Sequence, residues 1–177
     1  MRKIILMATS VLLATLLASG VAWAYGIDCK AGTPCRGADK PDVMFGSGGA
    51  DIMRGLGGAD SMDGDNGPDR MYGGDGSDGG GSKGYMFGGF GNDIMKGGGA
   101  PDAVYGEEDD DKLYGGPGHD TLDGYNGADR IFGNTGNDSI DTGYKDGEKD
   151  YVDCGIGNDF VSADREDTVK NCEQSLF

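Results

Sequence analysis

Residues 115–141 read GGPGHDTLD, GYNGADRIF, GNTGNDSID: three copies of one nine-residue unit written end to end. Each copy opens on glycine, and a second glycine follows three residues later. Aspartate stands at its sixth place and a large apolar residue at its eighth. Working outward, the aspartate recurs every nine residues at Asp42, Asp51, Asp60, Asp69 and Asp78, and again at Asp93, Asp102, Asp111, Asp120, Asp129 and Asp138. Asp150, Asp159 and Asp167 continue the register imperfectly. The apolar partner two residues on runs from Met44, Met53, Met62 and Met71 to Val152, Val161 and Val169. The unit is G-x-x-G-x-D-x-U-x, and a fixed period of this kind signals a stacked repeat architecture.

Composition points the same way. The chain has 177 residues with 37 glycines, 36% hydrophobic residues and five prolines. Glycine at that density argues against a conventional packed core, and the absence of a Gly-X-Y period excludes collagen. Lys and Arg number 15 against 31 Asp and Glu, a net charge of −16, which opposes nucleic-acid binding.

Each place in the unit has a physical reason. The glycines allow positive φ, so six residues can turn sharply and aim carbonyl oxygens inward. Aspartate adds a carboxylate, and hard oxygen donors of this sort suit Ca²⁺, which accepts six to eight of them in loose geometry. The last three residues make a short strand whose central side chain points into the coil. Aspartates stacked at the strand spacing of ~4.8 Å would repel by roughly 3.5 kcal/mol per pair at an effective dielectric of 20. A disordered chain without calcium, and a fold induced by it, are therefore expected.

The nonapeptide resembles that of the repeats-in-toxin (RTX) calcium-binding proteins, and the tail from Asp150 to Glu173 resembles the closing segment of small secreted hemolysin-type members. That resemblance implies an all-β, right-handed parallel β-roll with two nonapeptides per turn, loops stacked two repeats apart, and several calcium ions held by the fourteen aspartates from Asp42 to Asp167. One feature departs from the toxin group. Those proteins usually leave the cell on a C-terminal signal, whereas here Arg2 and Lys3, an apolar run from Ile4 to Ala18 and the small-x-small Ala22-Trp23-Ala24 read as a cleaved N-terminal signal over residues 1–24. The apolar run is shorter than the ~20 residues a membrane span needs. Removing Arg2 and Lys3 leaves 13 positive and 31 negative charges, a net of −18.

Residues 25–36 form an N-terminal cap, 37–141 the repeats, and 142–177 degenerate repeats with a C-terminal cap. Export makes disulfides expected. Cys29, Cys35, Cys154 and Cys172 allow three connectivities, of which proximity favours Cys29–Cys35 and Cys154–Cys172; their spacing lacks the close pairs of a zinc site. Six residues, Gly79 to Gly84, interrupt the period as a loop that leaves Tyr85-Met86-Phe87 as the strand. Asp109 and Ala100 stand where glycine is expected, so calcium is expected to be weaker at Asp111 and Asp102.

Other features have plainer readings. The inner methionines 44, 53, 62, 71, 86 and 95 could suit copper(I) through their thioethers, but nothing polar converges on them and they read as flexible core filler. His119, the single histidine, reads as an exposed loop residue. No acid, base or nucleophile constellation points to an enzyme. Alternate repeats carry Arg54, Arg70, Lys96, Lys112 and Arg130, which one sheet of a two-strand turn would present together with Tyr72, Tyr114 and Phe132, while the other sheet presents Asp63, Asp123 and Asp141. Such a basic face either balances the aspartate columns, the favoured reading, or holds an anionic polysaccharide. The sequence thus describes a secreted, extracellular calcium-binding module that interacts with a cell surface or matrix. The alternative is a calcium-dependent accessory or enzyme of polysaccharide or protein turnover.

Overall fold

In the computed structural model, residues 26–78, 85–143 and 147–176 are described; the leader read at 1–24 and the insertion at 79–84 lie outside them. Every strand runs parallel to its neighbours, in two sheets that the chain visits alternately. The first sheet holds Gly26–Asp28, Val43–Ser47, Ser61–Asp65, Met86–Phe90, Ala103–Glu108, Thr121–Asn126, Ser139–Asp141, Phe160–Ser162 and Gln174–Leu176. The second holds Pro34–Arg36, Ile52–Leu56, Arg70–Gly74, Ile94–Gly98, Lys112–Pro117, Arg130–Thr135, Tyr151–Ile156 and Thr168–Lys170. Two nonapeptides therefore complete one turn, and the all-β chain is a parallel β-roll.

Register follows the apolar side chain of each unit. Met44 pairs with Met62, Met62 with Met86, Met86 with Val104 and Val104 with Leu122. On the other sheet Met53, Met71, Met95, Leu113, Ile131 and Val152 align in the same way. These side chains are almost wholly buried and form one continuous core between the sheets; each contributes about 2 kcal/mol by burial. The methionines fill this core as apolar side chains. Met86 keeps its place opposite Met62 despite the six-residue interruption, so the extra length is absorbed outside the ladder.

The strands are longer than the three residues expected. Most run five or six residues because they continue through the first glycine of the next unit. Arg70–Gly74 alternates so that both Met71 and Gly73 face inward. The inner wall of the roll is thus built from a large apolar residue and a glycine in turn.

The end segments are part of the same sheets. Gly26–Asp28 pairs with Val43–Phe45 and Pro34–Arg36 with Ile52–Arg54, so residues before the first repeat already form a turn. Cys29 is joined to Cys35 and Cys154 to Cys172, with Cα–Cα distances of 5.4 and 5.2 Å, the pairing that proximity favoured.

Candidate metal centre

The aspartates before each strand stack into two columns, one along each edge of the roll. Asp42, Asp60, Asp78, Asp102, Asp120, Asp138 and Asp159 make the first; Asp51, Asp69, Asp93, Asp111, Asp129, Asp150 and Asp167 make the second. Within each column the backbone N–H of one aspartate donates to Oδ1 of the aspartate one turn on. The distance is 2.9 Å from Asp42 to Asp60 and 2.7 Å from Asp93 to Asp111. The bond is kept where the step lengthens to 24 residues, from Asp69 to Asp93 and from Asp78 to Asp102, or to 21, from Asp129 to Asp150 and from Asp138 to Asp159.

The other carboxylate oxygen is treated differently. In Asp60, Asp69, Asp78, Asp93, Asp102, Asp111, Asp120, Asp138 and Asp159, Oδ2 is buried and accepts no hydrogen bond. A buried, uncompensated anionic oxygen is costly. Burial is the largest cause raising these carboxyls, with the hydrogen bond from the preceding turn opposing it. It holds Asp60, Asp93 and Asp102 near about 6 and Asp69, Asp78 and Asp120 near about 7. Asp111 is pushed furthest, to about 9, by burial and then by Asp93, Asp129 and Asp109. Asp138 and Asp159 are raised by the same burial.

These oxygens point into a space that only glycine leaves open. A β-carbon on Gly64 would meet Asp69 Oδ2 at 2.5 Å, and one on Gly55 would meet Asp60 Oδ2 closer still and the Gly73 carbonyl oxygen at 2.7 Å. At Gly55, Gly64, Gly73, Gly88 and Gly106 the same two oxygens crowd the missing side chain: the aspartate of the same unit and the glycine carbonyl of the next turn. Among the described residues no three carboxylate, imidazole or thiolate groups converge; the oxygens brought together at these five glycines are a carboxylate and a main-chain carbonyl. All are hard oxygens, a set that fits a calcium ion.

This corrects the role expected for the first glycine of each unit. Positive φ falls instead on the residue after it, which is often not glycine: Leu56 (87°), Asp65 (71°), Glu107 (80°), Tyr125 (66°) and Asn134 (73°). The first glycine is needed for room rather than for conformation. Asp109 takes φ 78° in place of the second glycine.

The columns change at their ends. Asp42 Oδ2 accepts from the Ala38 N–H at 2.7 Å, and Asp51 Oδ2 from the Ser47 N–H and hydroxyl at 2.7 and 2.9 Å. Asp167 Oδ2 accepts from the Asp164 N–H at 2.7 Å and the Thr142 hydroxyl at 3.0 Å. Thr142, Cys154 and Ala163 are buried two residues after Ile140, Val152 and Val161, where repeats in the middle have glycine. Glu173, which no periodicity marked, ends the first column by accepting from the Asp159 N–H at 2.9 Å. His119 is tied into the stack, its Nδ1 accepting from the Asn137 N–H at 2.8 Å.

Outside the columns, Arg54, Arg70, Lys96, Lys112 and Arg130 do lie on one sheet. Arg54 sits over the Tyr72 ring at 5.2 Å and Lys96 over the Tyr114 ring at 5.1 Å, and Tyr114 stacks on Phe132 with centroids 4.9 Å apart. Asp63, Asp123 and Asp141 lie on the other, where Phe87 stacks on Tyr105 at 5.2 Å, a cluster the sequence did not single out.

Residues 45–79, 87–122 and 123–144, just over half of the chain, match the RTX calcium-binding nonapeptide repeat, in four copies. No curated protein matches the chain.

Proposed function

The chain belongs to the RTX calcium-binding nonapeptide repeat family, and on that premise we propose that it is an exported, non-catalytic module that acquires its fold by taking up calcium along the two aspartate columns. The observation that carries this reading is the set of nine buried Oδ2 atoms, from Asp60 to Asp159, that accept no hydrogen bond. Asp60, Asp69, Asp78, Asp93, Asp102, Asp111, Asp120, Asp138 and Asp159 would hold the ions together with carbonyl oxygens of the first glycines. The bound ion supplies the positive charge that these oxygens lack. Asp129 and Asp150 belong to the same column and are assigned with them, as is Asp51, whose buried Oδ1 accepts no hydrogen bond although its Oδ2 is engaged; Asp42 and Asp167, whose Oδ2 atoms are already engaged, close the ends.

Coupling to folding follows from the energetics. With no ion, the roll must bury a row of carboxylates that are either charged and unpaired or protonated well above their ordinary pKa. An ion that binds the folded state alone stabilises it by mass action. Export is supported by the residue pattern of the leader and by two disulfides, which persist in oxidising compartments. A module of this kind stays unfolded during export and becomes rigid outside the cell, where calcium is plentiful.

The test is far-UV circular dichroism of the oxidised chain during a calcium titration, with magnesium as control. A cooperative gain of β signal in the millimolar range, where extracellular sites operate, is expected with calcium alone. A β spectrum that is indifferent to chelation would overturn the proposal.

A further inference from the structure

The outward faces of the two sheets are segregated by charge far more completely than five basic positions indicate. The described strands of the second sheet carry Arg36, Arg54, Arg70, Lys96, Lys112, Arg130 and Lys170, with Asp153 as the only acidic residue. The strands of the first sheet carry Asp28, Asp63, Asp65, Glu107, Glu108, Asp123 and Asp141 and no lysine or arginine at all. Local neutralisation of the aspartate columns does not account for this pattern. The columns lie along both edges, and balancing them would place cations on both faces.

Both faces also carry rings. Tyr72, Tyr114 and Phe132 lie in one row of the second sheet with Arg54 and Lys96, and Phe45, Phe87 and Tyr105 lie in one row of the first with Asp63 and Asp123. Phe45 is 45% exposed, and Tyr85, Phe90 and Tyr125, at the margins of the same face, are exposed as well. The two faces have the same strand spacing because they belong to the same coil, so their charge rows share one repeat. Eight strands at ~4.8 Å by five residues at ~3.3 Å give a face of about 38 by 16 Å, roughly 600 Å². Two such faces in contact would bury about 1,200 Å², the lower end of specific interfaces.

We propose that the partner of each face is the opposite face of a second copy of this chain, so that folded rolls stack sheet against sheet, the acidic–aromatic face of one on the basic–aromatic face of the next. Such a contact is heterologous: the pair leaves one face of each kind free, one on each copy, and stacking continues rather than closing at a dimer. The net charge of −16 opposes approach of the calcium-free chain at long range, but ions held along the columns offset it, and at contact the facing charges lie well within a Debye length and dominate. The inference rests on the folded roll and is independent of which ion holds it together.

The experiment is sedimentation velocity from micromolar to millimolar protein, with circular dichroism on the same samples. The wild-type chain is expected to grow in mass with concentration, without a plateau at two copies, and to dissociate in high salt. Two neutralised variants separate the faces: replacing Arg36, Arg54, Arg70, Lys96, Lys112, Arg130 and Lys170 by glutamine retains only the acidic face, and replacing Asp28, Asp63, Asp65, Asp123 and Asp141 by asparagine with Glu107 and Glu108 by glutamine only the basic one. Each alone is expected to stay monomeric, while an equimolar mixture forms a heterodimer that grows no further. A wild-type chain with a full β spectrum that is monomeric throughout, or that stops at a symmetric dimer, overturns the proposal. So does a monomer that binds soluble hyaluronate through Arg54, Lys96 and Arg130, an outcome that gives the basic face to an acidic polysaccharide. Assembly by a roll whose β spectrum ignores calcium would instead overturn the calcium reading and leave this one standing.

Discussion

Adding one methyl group at Gly64 tests the logic of the columns directly. In Gly64→Ala the new β-carbon would lie 2.5 Å from Asp69 Oδ2 and closer still to the Gly88 carbonyl oxygen, with no φ penalty to confuse the result. Overpacking of this kind costs about 1–3 kcal/mol, and a midpoint of about 2 kcal/mol is close to a thirtyfold change in the folding equilibrium. If each of the nine orphan Oδ2 atoms marks one ion, that energy is shared among nine linked binding steps, and the calcium midpoint moves only about 1.5-fold. The sensitive assay is therefore urea unfolding at fixed, saturating calcium. With an m-value of about 2 kcal/mol/M the midpoint should fall by about 1 M, and ion stoichiometry by equilibrium dialysis should fall by one. Gly48→Ala is the control, because its β-carbon would meet nothing within 4 Å; it should be neutral or gain up to about 1 kcal/mol from the stiffer unfolded chain. Equal effects at the two positions, or an unchanged stoichiometry in Gly64→Ala, would refute the claim that the first glycine is kept to leave room for an ion.

Further outcomes follow from the same geometry. Asp93→Asn, which keeps the shape and removes the charge, should lower calcium stoichiometry by one and lower stability at saturating calcium, read by isothermal titration and urea unfolding. Without calcium, the raised carboxyls bind protons that the unfolded chain, titrating near about 4, does not hold. Their contribution is fully present below about pH 4 and is lost as pH rises through about 6 to 7 for Asp60, Asp69, Asp78, Asp93, Asp102 and Asp120. The calcium-free chain should thus gain β signal on acidification, whereas acid should release calcium from the loaded chain; a calcium-free spectrum that strengthens toward pH 8 would contradict the burial argument. Replacing Cys154 and Cys172 by serine opens an 18-residue loop and replacing Cys29 and Cys35 a 6-residue one. Loop-closure entropy puts the costs at about 3 and about 2 kcal/mol, measurable as the difference in urea unfolding between oxidised and mutant chains.

The period carried most of the architecture. Asp and the apolar residue at a fixed interval sufficed to place every inward column, and the alternation of Arg54, Arg70, Lys96, Lys112 and Arg130 already separated the two sheets. What the period could not convey was why the first glycine is glycine, since room and backbone freedom leave the same letter in a sequence. Only the position of Asp69 Oδ2 against Gly64 distinguishes them. The ends were hidden for a related reason. Glu173 closes the first column at a separation of 14 residues, Arg36 and Lys170 extend the basic face from strands outside the glycine pattern, and Cys154 fills a glycine place with a side chain. Capping requires departure from the repeat, so a search for the repeat passes over the caps.

Two steps of 24 residues, two of 21 and one of 17 join consecutive aspartates of a column by the same hydrogen bond that spans 18 elsewhere. Length along this chain is therefore counted in turns and not in residues. A foreign peptide spliced between Asp78 and Met86 would leave Met62, Met86 and Val104 opposite one another, as the native six extra residues do. The roll can then serve as a rod on which a guest segment is displayed at a chosen height, its distance from either end set by the number of strands between.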